Sequence, residues 1–390
     1  MKVLFYRYGS ICESDILDAF QSLHLEVIEE KTEMIRKKIP VQERIQILST
    51  LLLTHKPFFA FSINFFPLIS DICEKLHILY VCLTVDCPVL ELLDQSIQNS
   101  CNRIFLFDRV QYDTIHHYNP DRIFHLPLAV NTKRYDEIIG EHRSFPDYQY
   151  EVSFVGSMYR KNSYDEIKDM LPDYVRGYFD ALMKLQLEIY GENYIDGMLT
   201  AEIMDELNRH FRIEKSERSF SNISLIFSTT VLGFKIAQLE RYKLLGALSK
   251  RFDVSVFTDD ENADFVLAHN MGPVRYWDES PVVFYTSRIN LNFTIRNIRS
   301  GIPLRVWDIL AAGGFCITNF QPELVLYFKN GEDLVWFEDE ADLVRKVRYY
   351  LEHEEERKQI ALMGQRKVRE LHNYDVRISE IERELGRQLV

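Results

Sequence analysis

Residues 289–319 read Ile289-Asn-Leu-Asn-Phe-Thr294, a polar turn to Ser300, Gly301-Ile-Pro-Leu-Arg-Val-Trp-Asp-Ile-Leu-Ala-Ala-Gly-Gly314, then Phe315-Cys-Ile-Thr-Asn319. The alternation of the first run fits a half-buried strand. Pro303 suits a first helical position, and Gly313-Gly314 supplies the left-handed residue that closes a helix. The stretch therefore reads as strand, tight loop, short helix, strand. In a βαβ unit the loop after the first strand opens at the carboxyl edge of a parallel sheet, and the next helix turns free N–H groups and positive dipole toward an anion. A phosphate is the natural guest for the loop of Gly301, Ile302, Pro303 and Leu304.

The helix carries two charges. Arg305 and Asp308 lie three apart, on one face, while Leu304, Trp307, Leu310 and Ala311 form an apolar stripe suited to a sheet. The plain reading is a local salt bridge on a solvated face. A cation in the first turn with the acid behind it is, however, the unfavourable order for the helix dipole, so both charges read as recruited for a ligand. Arg305 would neutralise a diphosphate, and Asp308 would accept hydrogen bonds from a ribose diol.

The run S-x-I-N-L-N-x-T, then G-I-P-x-R-V-W-D-I-L-A-A-G-G-F-x-I-T-N, then Gly331-Glu332-Asp333-Leu334 and His372-x-Tyr374-x-x-Arg377, resembles the C-terminal half of the spore-maturation (CgeB-like) glycosyltransferases, members of the GT-B superfamily. The resemblance covers roughly a hundred residues; in the first half it rests on topology and on the loop Thr84-Val-Asp-Cys-Pro88. It implies two doubly wound, Rossmann-like α/β domains facing a cleft, and a nucleotide-sugar-dependent transferase. Such sites generally hold the diphosphate with helix dipoles and basic side chains, which implies no metal and no cofactor beyond the sugar nucleotide, a UDP-sugar at family level.

Composition is compatible with this. The chain of 390 residues is long for one domain, and 46% hydrophobic with 13% aromatic residues can fill substantial cores. A net charge of −13 disfavours a general nucleic-acid or anionic-membrane binder. Six cysteines show neither zinc spacing nor a disulfide framework and read as buried thiols of a reducing cytoplasm. The start, Met-Lys-Val-Leu-Phe-Tyr, reads as a first strand with no signal region. The apolar run near 57–69 is interrupted by Ser62, Asn64 and Pro67, so no integral membrane segment is expected.

Along the first half, strand candidates at 2–6, 25–29, 58–63, 78–83, 103–107 and 122–126 alternate with helical patterns at 13–22, 41–54, 67–76, 88–98 and 109–117. This predicts a parallel sheet in a domain spanning 1–147, with a hinge ending near Pro146-Asp147. A second domain, 148–375, opens on Glu151-Val-Ser-Phe-Val-Gly-Ser157 and carries a helical insertion over about 164–250. Strands resume at 253–257, 272–276 and 334–337. The segment 376–390 is expected to pack back on the first domain, as the last GT-B helix does.

Further donor-side candidates are Gly156 and Ser157, whose amides would face a phosphate or merely turn a strand end, and Arg275 and Tyr276, which end the strand that the resemblance places under the nucleobase, although a strand-end Arg is usually only solvated. Tyr285, Arg288 and Asn292 surround the entry to the key loop, with Arg288 a diphosphate partner. Glu332 and Asp333 form an acidic pair near sugar or ribose, or a turn. On the acceptor side, Gly9, Ser10 and Glu13 lie at the first βα loop, and Asp86 follows the strand at 78–83. A sugar hydroxyl needs a base to attack. Asp86 is the first choice, against a plain helix-capping role before Pro88, with Glu13 and His125 in reserve. Retaining relatives carry two glutamates eight residues apart; here Asp308 and Ser300 occupy those places, which leans toward inversion. The reading is a two-domain glycosyltransferase with a glycan, protein or lipid-linked acceptor, in cell-surface or spore-coat glycan synthesis. Its alternatives are a nucleotide-sugar epimerase of the same architecture and a non-catalytic sugar-nucleotide-binding protein.

Overall fold

The computed structural model describes residues 1–140, 148–210, 217–221, 223–260 and 267–388. The hinge expected near 146–147 lies outside the described residues. The chain divides into two compact units, one of Met1–Asn131, Ser216–Ser221 and Leu371–Val390, the other of Thr132–Lys215 and Asn222–Glu370. The helix Thr132–Gly140, expected in the first domain, thus groups with the second unit.

In the first unit six parallel strands stand in the order β2-β1-β3-β4-β5-β6: β1 Lys2–Tyr6, β2 Glu26–Glu30, β3 Phe59–Ile63, β4 Leu79–Leu83, β5 Asn102–Leu106 and β6 Ile123–His125. β3 and β5 are buried at every residue, as befits central strands covered on both faces. Strand order reverses between β1 and β3, the switch point at which ligands meet such sheets. The helical pattern at 88–98 resolves into two short 3-10 turns, Leu90–Leu93 and Gln95–Gln98. The Asp94 side chain accepts from the Ser96 amide at 2.8 Å and caps the second turn, which interrupts an α-helix. The last helix, Tyr374–Gln388, lies with this unit, where Ser22 donates to Asp375 at 2.8 Å and Arg377 donates to the Pro127 carbonyl at 2.7 Å.

The helical insertion also contributes to the first unit. The segment 217–221 pairs with the 3-10 region through Gln95 N–H to Arg218 O at 2.9 Å, and Phe220 stacks on Tyr118 with ring centroids 4.7 Å apart. Arg218 forks onto Asp71 at 2.8 Å and Asp94 at 3.0 Å.

The second unit has six parallel strands in the order β12-β11-β10-β7-β8-β9: β7 Tyr150–Val155, β8 Val254–Phe257, β9 His269–Asn270, β10 Ser287–Asn292, β11 Cys316–Asn319 and β12 Val335–Phe337. Its switch point lies between β7 and β10. The strand expected at 272–276 is instead the two-residue β9; Gly272 takes φ +79° and Pro273 has no N–H for a ladder, so the chain turns there. The 304–311 βαβ unit forms, with Pro303 at the N-cap position, one place before the first helical residue Leu304, and the helix Leu304–Ala311 closed by Gly313 at φ +74°.

A continuous helical stretch, Ile223–Ser249, passes through a π turn at Phe227–Gly233 and is apolar and long enough to cross a membrane by length and composition. It is built into the second unit instead: Lys235 meets Asp165 at 2.6 Å, and Glu240 forms a buried ion pair with Arg296 at 2.9 Å. Such charges argue for a core helix of a folded domain, where each has its partner.

Candidate functional site

At the carboxyl edge of the second sheet, β7 ends at Gly156-Ser157, β10 at Asn292-Phe293-Thr294, and the Leu304 helix starts above them. The segment Ser300–Pro303 is anchored by Glu323: its amide donates to Ser300 O at 3.0 Å and its buried carboxylate accepts from Ser300 Oγ at 2.7 Å. A carboxylate therefore does meet the place where Ser300 stands, supplied from after β11. Gly301 and Ile302 are buried, and the Trp307 indole donates to Ile302 O at 3.2 Å, which fixes the loop against its own helix.

Arg305, half-buried in the first helical turn, makes no ion pair among the described residues and lies over the Phe284 ring at 5.5 Å. It does not bridge to Asp308. Asp308 is 1% exposed, and its Oδ1 accepts from Tyr135 and Tyr276 hydroxyls, each at 3.0 Å. Burial raises its pKa to about 6, against the pull of Arg305, Arg134 and the two hydroxyls. Arg134 covers the rings of Tyr135, Tyr276 and Trp277 and donates to Trp277 O at 2.8 Å. The surface salt bridge is thus replaced by a buried carboxylate in a cage of two tyrosines and one arginine. Tyr276 belongs to this cage through its hydroxyl on Asp308, and does not end a strand.

Arg241 also reaches this edge. Its guanidinium donates to Ser157 O and to Phe293 O at 3.0 Å, tying the ends of β7 and β10, and burial lowers its pKa. Together with Arg305 it makes the edge cationic. Asn292 is buried and donates to Thr294 and Thr318 hydroxyls at 2.9 Å, shaping the strand end rather than offering a free amide. The Gly156 N–H is committed to Phe257 O at 2.9 Å, so it cannot donate to a phosphate; Ser157 is exposed, and its Oγ accepts from Tyr159 N–H at 3.1 Å.

Four donor-side expectations fall on the wrong edge. Arg288 is the second residue of β10, and Tyr285 precedes that strand in the helix Glu279–Thr286. Arg288 and Asn292 are four steps apart along the strand, about 13 Å at roughly 3.3 Å per residue. Glu332 and Asp333 precede β12 and so lie at the same amino edge. Asp333 is buried, accepts from Lys329 N–H at 2.9 Å and pairs with Lys367, which makes it a turn lock; Glu332 pairs with Lys329 at 3.2 Å. Arg275 is spent on Asp278 at 2.8 Å and Glu279 at 2.9 Å, on the surface.

In the first unit, the loop after β1 turns at Gly9, with φ +102°. Glu13 Oε1 accepts from the amides of Tyr8, Gly9 and Ser10 at 2.8, 2.9 and 3.0 Å, and its Oε2 meets Arg7 at 3.2 Å. This buried carboxylate fills its own amide nest, so Glu13 is not available as a base and Gly9 and Ser10 have no amide to offer. Asp86 is exposed beyond β4, where Asn64 Nδ2 donates to it at 2.7 Å while Asn64 Oδ1 accepts from Val85 N–H at 3.0 Å. It caps no helix, since the next turn begins after Val89. Asn64 also donates to Tyr8 Oη at 3.0 Å, and burial holds the Tyr8 phenol up at about 12. Tyr8, Asn64 and Asp86 thus form one polar group at the ends of β1, β3 and β4.

Sequence reasoning missed Tyr135, Arg134, Arg241, Glu323, Asn64 and Tyr8. Only the last two carried a signal, each standing just after a predicted strand.

Residues 237–383 match the family model described as Glycosyl transferase-like. No curated protein matches the chain by sequence. Among solved structures, sucrose-phosphate synthase from Thermosynechococcus elongatus is similar at TM-score 0.53 and 8% identity, with 100% of both chains covered. Anabaena Alr3699/HepE in complex with UDP-glucose is similar at TM-score 0.51 and 7% identity, with 99% of both chains covered. AviGT4, a glycosyltransferase involved in avilamycin A biosynthesis, is similar at TM-score 0.51 and 9% identity, covering 99% of this chain and 97% of that one. The fold is the two-domain α/β GT-B fold.

Proposed function

We propose that the protein is a glycosyltransferase that takes a nucleoside-diphosphate sugar, with a UDP-sugar favoured, at the carboxyl edge of its second sheet. The observation that carries this is Arg305: a cation with no ion pair among the described residues, in the first turn of a helix whose initial amides point off the switch point. The glycosyl transferase-like match over 237–383 spans this element, and a neighbour of the same fold is complexed with UDP-glucose. In this reading Arg305 and the helix amides neutralise charge on the departing diphosphate, without a metal. Asp308, caged by Tyr135 and Tyr276, sets the height of the helix and holds those rings for the nucleoside.

On the first unit, Asp86 is the general base for an acceptor hydroxyl, oriented by Asn64, and the neutral Tyr8 phenol stands beside it. The CgeB-like assignment, a cytoplasmic location and an acceptor in cell-surface or spore-coat glycan synthesis belong to the same proposal. The deciding experiment is thermal denaturation against UDP-, GDP- and dTDP-sugars, followed by product analysis with and without acceptor. Selective stabilisation by one nucleotide class is expected through mass action, and no stabilisation by any of them would reject the reading.

A further inference from the structure

The amino edge of the second sheet holds a cavity of about 620 Å³ that the donor chemistry does not use. Tyr148, Tyr285, Arg288, Arg357, Lys358 and Arg369 line it, with Phe315, which enters β11, as part of the floor. Each strand that reaches it does so by its first residues, so it faces away from Gly156, Thr294 and the start of the Leu304 helix.

Arg357 is the informative residue. It is 1% exposed, and only Nη1 is bonded, to Tyr350 O at 2.6 Å; Nε and Nη2 have no hydrogen-bond partner. Its guanidinium lies 5.4 Å from the centre of the Tyr148 ring, and Arg288 sits over the same ring at 6.0 Å. A buried guanidinium with two unbonded nitrogens is costly, and the usual remedy is a bidentate oxyanion. The acids nearby do not supply it. Glu354 and Glu355 are held by Lys358 at 2.7 and 3.5 Å, and Asp136 is held by Arg369. Neither Arg357 nor Arg288 forms an ion pair among the described residues, although both act electrostatically on Glu354. The positive charge without a direct carboxylate partner is therefore on Arg288 and Arg357, both against the ring of Tyr148.

We propose that this cavity is a second ligand site, for a small organic oxyanion whose phosphate or carboxylate is clamped between Arg288 and Arg357 and whose body lies against Tyr148, Tyr285 and Phe315. A site of this size accommodates a small metabolite, and its place on the far edge of the same sheet makes it a site for control of the second unit rather than for reaction.

The test is thermal unfolding of the full chain in increasing inorganic phosphate, and separately in citrate, at constant ionic strength held with chloride. Wild type should show a saturable rise in Tm of roughly 2–6 °C with at least one of the two, and the responding anion tells a phosphate from a carboxylate ligand. Arg288→Gln and Arg357→Met should abolish the rise, while Arg305→Gln, at the other edge, should retain it. Arg357→Met alone should also raise the anion-free Tm, because it removes a buried charge that has no direct ion pair and two unbonded nitrogens. If Arg357→Met does not fold, the exposed Arg288→Gln decides. No saturable rise, a rise unchanged in Arg288→Gln, or one abolished by Arg305→Gln would overturn the proposal.

Discussion

Asp308 shows how a helical position can be read correctly and still be misjudged. Periodicity separates Asp308 from the apolar stripe of the Leu304 helix, yet the helix Thr132–Gly140 and the turn before Glu279 bring Tyr135 and Tyr276 over that face. Burial then sets its chemistry. Its pKa of about 6 in the fold lies above the ordinary 3.8, so its contribution to stability is full below pH 3.8 and is lost as pH rises through about 6. Wild type should therefore lose stability relative to Asp308→Asn between pH 4 and pH 7, by on the order of 2–3 kcal/mol. Urea unfolding at each pH measures it, and parallel curves would reject the buried-charge account. Arg305 makes no ion pair but helps hold Asp308 ionised, so Arg305→Gln should lower Tm only above about pH 6 and weaken donor binding by roughly 1–3 kcal/mol in calorimetric titration. Asp86→Asn should keep the Asn64 contact geometry yet lower transfer by about 10²–10⁴-fold at unchanged donor affinity. Full activity in that variant would remove Asp86 as base.

At the scale of elements, Gly364 lies in the helix Glu354–Leu371 where it crosses the turn before β12. A Cβ there would come within 2.2 Å of the Asp333 carbonyl oxygen and 2.8 Å of Leu310 Cδ2. The carbonyl cannot retreat, because Asp333 is buried and its side chain binds Lys329 N–H. Gly364→Ala gains about 1 kcal/mol of helix propensity but incurs roughly 1–3 kcal/mol of overpacking, so the variant should show a lower Tm. A higher one would mean the helix stands off the turn. Nothing in the sequence distinguishes this glycine from Gly246, which meets nothing within 4 Å. The same limit explains what was and was not legible. Strand and helix periods gave most elements of both sheets, and Gly313 marked the end of the Leu304 helix. Strand polarity decided which edge a residue reaches, and so Arg288, Glu332 and Asp333 were misplaced although the strands beside them were read, while Tyr285 lies in a helix, Glu279–Thr286, that was not expected. Cages built from three separate elements, such as Asp308 with Tyr135 and Tyr276, leave no spacing to read. Glu13 was legible as a residue at the first βα loop, but its three amide bonds depend on a backbone turn that spacing alone does not specify.

Across the whole molecule, the chain contributes to the first unit three times, through residues 1–131, 217–221 and 371–388. The last contribution is structural. Ile378, Ile381 and Leu385 are 1–2% exposed on the helix Tyr374–Gln388, which packs on the helix Glu13–Ser22. Arg377 fastens its first turn to Pro127 O at 2.7 Å and to His372 at 2.6 Å. The His372, Tyr374 and Arg377 motif that marked the family resemblance thus acts here as a clamp on the first unit. Burying three such side chains contributes about 1.5–3 kcal/mol each, a sum comparable to the net stability of an ordinary domain. Ile381→Ala should therefore destabilise the first unit by roughly 2–5 kcal/mol, and a chain ending at residue 370 should lose that unit's cooperative transition altogether. Calorimetry resolves the outcome by unit. Two intact transitions in the truncated chain would show that residues 1–131 fold without the helix, whereas one surviving transition that still shifts with a UDP-sugar would assign both the lost stability to the first unit and the donor site to the second.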